Sequence, residues 1–279
     1  MPQTPPVVLT IAGFDPSSGA GITADIKTIA AHGCYGIAAV TALTVQSTTG
    51  VKNVAPTPPD LLTETLQELN RDCQVSSVHI GMLASGEVAI RVAEFLETAK
   101  LSNVVLDTVL TSTSGTELLD QDGIRVLRER LLPLATVITP NLMEAANLTG
   151  IEITEVGEMK QAAVRLHEMG AKRVVITGGH LEKAIDLLSL KDDYVQVFRA
   201  DKLDFPNTHG TGCAFSSAVA CQLALERPLS TAVLLAKAYV TAAISSSYPV
   251  GKGTGPVNHM YRMKNHPRPL ANWLASGKD

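Results

Sequence analysis

The amino-acid sequence predicts an α/β protein: a mainly parallel β-sheet covered by helices on both faces, in three layers, with a short antiparallel edge. Three observations carry this expectation. From Val7 to Thr177, short apolar runs alternate with segments of helical period, the signature of parallel strands joined by helical crossovers. From Ile185 to Phe205 the alternation gives way to two or three short strands around the polar turn Lys191-Asp-Asp193, which reads as an antiparallel edge. Gly, Asn and Thr collect in the loops that follow the apolar runs, where ligands bind in sheets of this kind.

The elements follow in order. Val7–Ala12 is an apolar run of strand length. Gly21–His32 is a helix, with Ile22, Ile26, Ile29 and Ala30 on one face. Gly36–Val45 reads as a strand, Asp60–Asn70 as a helix and Val78–Ile80 as a strand. Helices at Gly86–Thr98, Ile124–Leu132 and Met159–Met169 alternate with strands at Asn103–Asp107, Thr136–Thr139 and Arg173–Thr177. Helices at Cys213–Leu225 and Ser230–Ser247 finish the pattern. No linker and no repeat divides the 279 residues, so one domain over 1–279 is expected, with residues 1–6 and 261–279 as loosely packed ends. The tail carries Arg262, Lys264, Arg268 and Lys278 and reads as solvated.

Composition excludes several functions. The net charge is −4 and aromatics are 4%, which argues against a nucleic-acid or anionic-membrane surface and against a base-stacking platform. The four cysteines, Cys34, Cys73, Cys213 and Cys221, form no C-x-x-C pair and have no His cluster beside them. A reducing, cytoplasmic compartment fits better than a disulfide framework or a zinc site. The first six residues have no basic, apolar leader pattern. No apolar run is long enough to span a membrane. The sequon at Asn147 is read as chance.

Asn207-Thr-His-Gly-Thr-Gly-Cys213 leads straight into an apolar helix. Backbone N–H groups and the helix dipole converge there, a ready anion site, and glycines let a phosphate approach the backbone. Cys213 stands at the helix start, where a thiol's pKa tends to fall. The plainer reading is a tight turn with a Cys packed beneath it. Gly19-Ala-Gly-Ile-Thr-Ala24 fits a dinucleotide fingerprint in form. However, the loop Gly13–Ser18 separates it from the strand, and the acid expected about 20 residues on is missing. Asp25 reads as either a pocket residue or a first-turn acid complementing the helix dipole. No P-loop, H-E-x-x-H or G-x-S-x-G pattern occurs. Asp107 ends a strand and Glu144 follows Thr139-Pro-Asn-Leu-Met. Each reads as a carboxylate orienting a magnesium-bound water, or as a structural acid.

Taken together, these segments resemble the hydroxymethylpyrimidine/phosphomethylpyrimidine kinase family of the ribokinase-like superfamily. The matching stretches are Ala12–Asp25, Thr41–Gln46, Ile80–Met82, Val105–Val109, Ile138–Ala145, Gly178–His180, Asn207–Cys213 and Gly253–His259, in family order. The resemblance implies a ribokinase-like α/β/α fold and ATP-dependent phosphorylation of 4-amino-5-hydroxymethyl-2-methylpyrimidine, then of its monophosphate, on the route to thiamine diphosphate. It implies ATP and Mg2+ as cofactors, a small-molecule partner and a homodimer. Cys213 would occupy the base position, and Gly210, Thr211 and Gly212 the anion hole. Gln46 would read the aminopyrimidine edge, its carboxamide offering one donor and one acceptor. Gly13, Ala20, Asp25, Met82 and Val109 would shape the substrate pocket. Asn141, Thr177, Gly179 and Thr208 would line the nucleotide side, and Asp107 and Glu144 the metal side.

The sequence departs from the family where Thr177 stands in place of the usual Lys before Gly-Gly-His, which removes a fixed cation from a multi-anion site. Lys183 or His180 are candidates to compensate. Asp204-Phe-Pro before Asn207 is a smaller departure. Two rival functions remain. A pyridoxal/pyridoxine kinase shares the superfamily and an aromatic hydroxymethyl substrate, although Gln46 and Asp15–Gly19 favour the pyrimidine. A catalytically weak pyrimidine-binding protein is motivated by Thr177 alone.

Overall fold

The computed structural model describes residues 4–112, 114–179, 184–192, 194–201 and 203–263. Lys183, His180 and the tail cations Lys264, Arg268 and Lys278 lie outside them. Nine strands form one sheet in the order β3-β2-β1-β4-β5-β6-β7-β8-β9. They are β1 (Val7–Phe14), β2 (Tyr35–Ser47), β3 (Gly50–Pro56), β4 (Val75–Ile80), β5 (Val104–Leu106), β6 (Val137–Ile138), β7 (Arg173–Gly178), β8 (Ala184–Leu190) and β9 (Val195–Ala200). Strands β2, β1, β4, β5, β6 and β7 run parallel, and β8 and β9 return antiparallel as the sequence predicts.

Helices α1 (Gly21–Ala31), α8 (Thr211–Ala224) and α9 (Leu229–Ser245) cover one face. Helices α2 (Pro59–Asp72), α3 (Gly86–Ala99), α4 (Gln121–Val126), α5 (Leu132–Leu134), α6 (Leu142–Thr149) and α7 (Val156–Glu168) cover the other. Two apolar cores result. One joins Leu62, Val92, Leu127 and Leu166 to Leu9, Ile80 and Leu106; the other joins Ile29, Phe215, Val219 and Tyr239 to Val8 and Val105. Each fully buried Leu or Ile contributes about 2 kcal/mol. Helix α8 is buried on every side from Ala214 to Ala224, and its Ala and Ser residues let it lie close between α1, α9 and the sheet.

Three expectations need correction. The run Gly36–Val45 continues to Ser47 and turns back as β3, so the sheet has a second antiparallel edge. The helix expected at Ile124–Leu132 is interrupted by a π-helical turn, Leu127–Leu131, ahead of Pro133, which has no N–H to give to the ladder. Residues 142–149, for which the sequence predicts no element, form α6 behind an Asn141 cap.

Candidate active site

The loops after β1, β5, β6 and β7, and the turn before α8, all lie at the carboxyl edge of the sheet. Gly210 begins α8 in the left-handed region, with φ +82°, and a Cβ there would meet the Gly19 carbonyl oxygen at 1.8 Å. The turn before α8 is therefore pressed directly on the loop before α1. Thr211 donates its hydroxyl to the Thr208 carbonyl at 2.6 Å. Asn207 Oδ1 accepts the Gly255 N–H, and His209 exchanges backbone bonds with Gly255 and Val257. Gly212 is different. It is exposed, and a Cβ built on it would have only Asp107 Oδ2, at 3.9 Å, within reach. Among the described residues the backbone at Gly212 thus opens onto clear space, with no acid in the first turn of α8, while the Thr211 N–H turns back to the Thr208 carbonyl.

Asp15 organises the facing loop. Its Oδ1 accepts the Ser17 N–H (2.8 Å) and hydroxyl (2.7 Å), and its Oδ2 accepts the N–H groups of Gly19 and Ala20. His209 Nε2 lies 3.0 Å from the same Oδ2. Burial pushes this carboxyl upward, but the bonds from His209, Ser17 and Ala20 outweigh it and hold Asp15 below the usual range. Neither Asp15 nor His209 had an assigned role from the sequence, though Asp-Pro-Ser-Ser is the pattern of a side chain capping its own turn. Gln46 sits at the same mouth: Thr44 donates to its Oε1 at 3.1 Å, and its Nε2 is 3.5 Å from His209 Nε2. Met82 closes against Gly13, where a Cβ would come within 2.9 Å of its sulfur, and Val109 packs on the cluster formed by Met82, Ala42 and Leu118. Hydrogen bonds thus link Ala20 to Gln46 through Asp15 and His209, and packing links Gly13 to Val109 through Met82.

Asp25 is not among them. Fully buried beneath α1, it accepts hydroxyl bonds from Thr10 (2.6 Å) and Ser217 (2.7 Å) and lies 3.3 Å from His79 Nδ1. Packing between α1 and α8 turns it inward, away from the pocket assigned to it. The lowered thiol pKa expected of Cys213 at a helix start is not what its surroundings favour. Burial and the nearby carboxylates of Asp25, Asp107 and Asp15 push its thiol well above the ordinary range, against the pull of the Gly21 N–H. Cys213 as a residue is only partly buried, yet the three carboxylates all act in one direction and overcome the helix start.

Asp107 and Glu144 form a second group. Burial raises Asp107 to about 6. Burial and then the Asp107 charge raise Glu144 to about 8. Glu144 also serves structure: its Oε2 accepts the Asn141 N–H (2.9 Å) and the Thr108 hydroxyl (3.2 Å), while Asn141 Oδ1 accepts the Glu144 N–H. This is a capping box, so the structural-acid reading holds alongside the metal one. Asn141 bridges to Thr177, whose N–H donates to Pro140. Among the described residues none other than its chain neighbours comes within 4 Å of a Cβ built on Gly179, and Thr208 is exposed. Opposite Thr177 on β8, Asp186 accepts the Gly178 N–H and is paired with Lys237 Nζ at 2.8 Å.

Clear space at an uncapped helix start, flanked by buried carboxylates, is where a phosphoryl group can be held and passed on. A pyridoxal kinase from Bacillus subtilis, solved in an ADP complex, shares this fold with a TM-score of 0.86 at 37% identity over 94% of this chain and 100% of its own. The chain is a phosphotransferase of the ribokinase-like class. Its residues 15–258 match the family model described as phosphomethylpyrimidine kinase. The Haemophilus influenzae hydroxymethylpyrimidine/phosphomethylpyrimidine kinase is 42% identical over 90% of this chain and 96% of its own length. A thiamine biosynthesis bifunctional protein of Geobacter sulfurreducens is 43% identical over 91% of this chain, which spans only 52% of that longer protein. The chain belongs to the phosphomethylpyrimidine kinase family. Among the described residues, no helix is long and apolar enough to cross a membrane.

Proposed function

We propose that this chain transfers the γ-phosphoryl group of ATP to the hydroxymethyl oxygen of 4-amino-5-hydroxymethyl-2-methylpyrimidine, and less efficiently to its monophosphate, in thiamine diphosphate synthesis. The observation that carries this reading is the apposition of Gly210 to Gly19, which sets the anion turn directly against the loop bordering the Gln46 opening. An acceptor lying on Gln46, Gly13, Ala20, Met82 and Val109 would present its alcohol to the start of α8. Gly210, Thr211 and Gly212 would hold the transferring group with backbone N–H groups, the positioning and charge stabilisation on which phosphoryl transfer depends. Cys213 stands at the base position. Its thiol is held protonated, so it would place the alcohol; as the alcohol oxygen bonds to the γ-phosphorus and the bond to the ADP oxygen breaks, the alcohol proton would pass to an oxygen of the transferred phosphoryl group.

Asn141, Thr177, Gly179 and Thr208 are assigned to the nucleotide side. Asp107 and Glu144 offer hard oxygen donors with raised proton affinity, which suits Mg2+. A magnesium ion there would screen the charge of the nucleotide phosphates. Two protein carboxylates rather than a full cage are what such an ion uses when substrate phosphates complete its shell. The free thiols of Cys34, Cys73, Cys213 and Cys221 suit the cytoplasm. One kinase domain over 1–279, acting as a homodimer, completes the reading.

The Bacillus pyridoxal kinase favours a second acceptor, since its likeness extends over nearly the whole chain. Parallel kinetics with the pyrimidine alcohol, its monophosphate and pyridoxal decide. The proposal expects the highest kcat/KM for the pyrimidine alcohol. A preference for pyridoxal makes the chain a pyridoxal kinase. Tight pyrimidine binding with no ATP turnover makes it a binding protein.

A further inference from the structure

His79 lies at the middle of the sheet with no exposed surface. On β4 it pairs in register with Thr10 of β1 and Val105 of β5, and its ring points toward α8. On one side, Nδ1 is 3.2 Å from Thr10 Oγ1 and 3.3 Å from Asp25 Oδ2. On the other, Nε2 is 2.9 Å from Ser216 Oγ.

The hydrogens can be assigned by counting. Thr10 has one hydroxyl proton, and Asp25 Oδ2 at 2.6 Å takes it. Nδ1 therefore faces only oxygen lone pairs and must itself donate. Ser216 also has one proton. Its other neighbours are Asp107 Oδ2 (3.1 Å), the Gly212 carbonyl (3.0 Å) and the Cys213 carbonyl (3.2 Å), all acceptors. A carboxylate competes better for that proton than a neutral ring nitrogen or a carbonyl; with Asp107 Oδ2 as its acceptor, Ser216 offers His79 a lone pair and Nε2 donates as well. A ring that donates from both nitrogens carries a positive charge.

We propose that His79 is a buried imidazolium cation and a positioning residue for phosphoryl transfer, tying Asp25 under α1 to Ser216, Asp107 and the first turn of α8. The ionisable groups that act on it are Asp25 from α1 and Asp107 from the end of β5, with Glu144 beyond Asp107. All three are carboxyls, so a cation among them limits their mutual repulsion. Its direction of shift agrees: burial lowers the imidazole's proton affinity most, but Asp25 and Asp107 together more than restore it. Through Ser216, the same ring is held against Asp107 and beside the Gly212 and Cys213 carbonyls, the backbone that aims the anion turn. His79 touches no substrate atom and would act only by holding these groups in place.

The charge state is tested on the whole chain by 15N NMR of the histidine rings, with His79 assigned from a His79→Asn spectrum. Both His79 nitrogens should be protonated at pH 7, where a free imidazole, titrating near 6.5, is mostly neutral. One unprotonated nitrogen at pH 7 overturns the proposal. The kinetic arm rests on the phosphotransfer reading. His79→Asn should lose about 10- to 100-fold in kcat, with KM for ATP and pyrimidine within about threefold. His79→Lys, which restores a cation, should recover most of kcat. Unchanged kcat in a folded His79→Asn protein, or a loss confined to KM, refutes the positioning role. If His79→Lys does not fold, the wild-type spectrum still decides the charge and His79→Asn still decides the role. A wild-type protein inert toward every acceptor refutes the proposed function while leaving the spectrum to be read.

Discussion

Gly212→Ala separates a glycine needed by the ligand from one needed by the fold. The residue occupies the first turn of α8, and a methyl group there would meet only Asp107 Oδ2, at an ordinary contact distance of 3.9 Å. Alanine is the better helix former by up to about 1 kcal/mol, so the variant should be as stable as wild type or melt roughly 2–4 °C higher. The same methyl stands where a phosphoryl group must approach the helix N–H groups. Losing one such donor costs about 3–4 kcal/mol of transition-state stabilisation, or roughly 10²- to 10³-fold in kcat. Gly212→Val should do more. Gly210→Ala is the contrast: its φ of +82° and the Gly19 carbonyl at 1.8 Å leave no room, so stability and activity should fall together. Thermal unfolding and steady-state phosphorylation of the pyrimidine measure both. A well-folded Gly212→Ala enzyme with near-normal kcat removes the anion turn from the mechanism.

Gln46→Ala should raise KM for the pyrimidine by about 5- to 150-fold, the equivalent of about 1–3 kcal/mol for polar edges left unpaired, with KM for ATP nearly unchanged; equal effects on both refute its reading role. Alkylation of Cys213 should be slow at pH 7 and still accelerating past pH 9, because only the thiolate reacts and its neighbours keep the thiol protonated; a rate plateau below pH 8 contradicts this. Burial holds His259 near 4, well under its unfolded value of 6.5. Its stabilising contribution is present above pH 6.5 and is lost as pH falls toward 4, by roughly 1–3 kcal/mol, so His259→Asn should flatten acid unfolding measured by denaturant titration across that window. Thr177→Lys should improve phosphorylation of the monophosphate more than of the alcohol, since joining two anionic groups depends more on a fixed cation; an efficient second step in wild type, unmoved by the lysine, sinks the idea.

The parallel strands were legible where their middles are buried on both faces and so read as mainly apolar runs, as in Val8–Ala12, broken only by Thr10, and Val104–Leu106. Strand β3 was not. Its Lys52, Asn53, Ala55 and Pro56 are exposed, and only its pairing with Ala42–Ser47 makes it a strand. Helix α6 was missed because its eight residues are too short for a clear period, although the Asn141–Glu144 cap was in plain view. At the site, glycines and Gln46 could be placed because they act through local backbone or a single side chain. Asp25 could not, because whether an acid beside an apolar stripe faces a pocket or the core depends on what covers that stripe, and the cover is Ser217, 192 residues away. His79 had no signal at all. It sits between Val78 and Ile80 in an ordinary buried strand, and only Thr10, Asp25 and Ser216 give it a task.

Four carboxyl groups around a site meant for phosphate pose a question of charge, and their partners answer it unequally. Asp15 is met by three backbone N–H groups, a hydroxyl and His209, and its proton affinity falls. Asp25 is met by two hydroxyls and His79. These two are occupied with holding the loop before α1 and the packing of α1 on α8. Asp107 and Glu144 receive fewer donors, lie close enough to oppose each other, and are pushed up to about 6 and about 8. A buried carboxyl pair left short of donors is unfavourable in the empty protein and favourable once a cation arrives. The division is the physical ground on which Asp107 and Glu144 are proposed as the pair that would take the metal beside the nucleotide. The same division predicts the effect of neutralising each. Asp25→Asn should lower stability with or without substrate. Glu144→Gln should cost the unliganded protein little at pH 8 while weakening Mg-ATP, and a Glu144→Gln enzyme with unaltered KM for Mg-ATP would show that the capping box is its whole purpose.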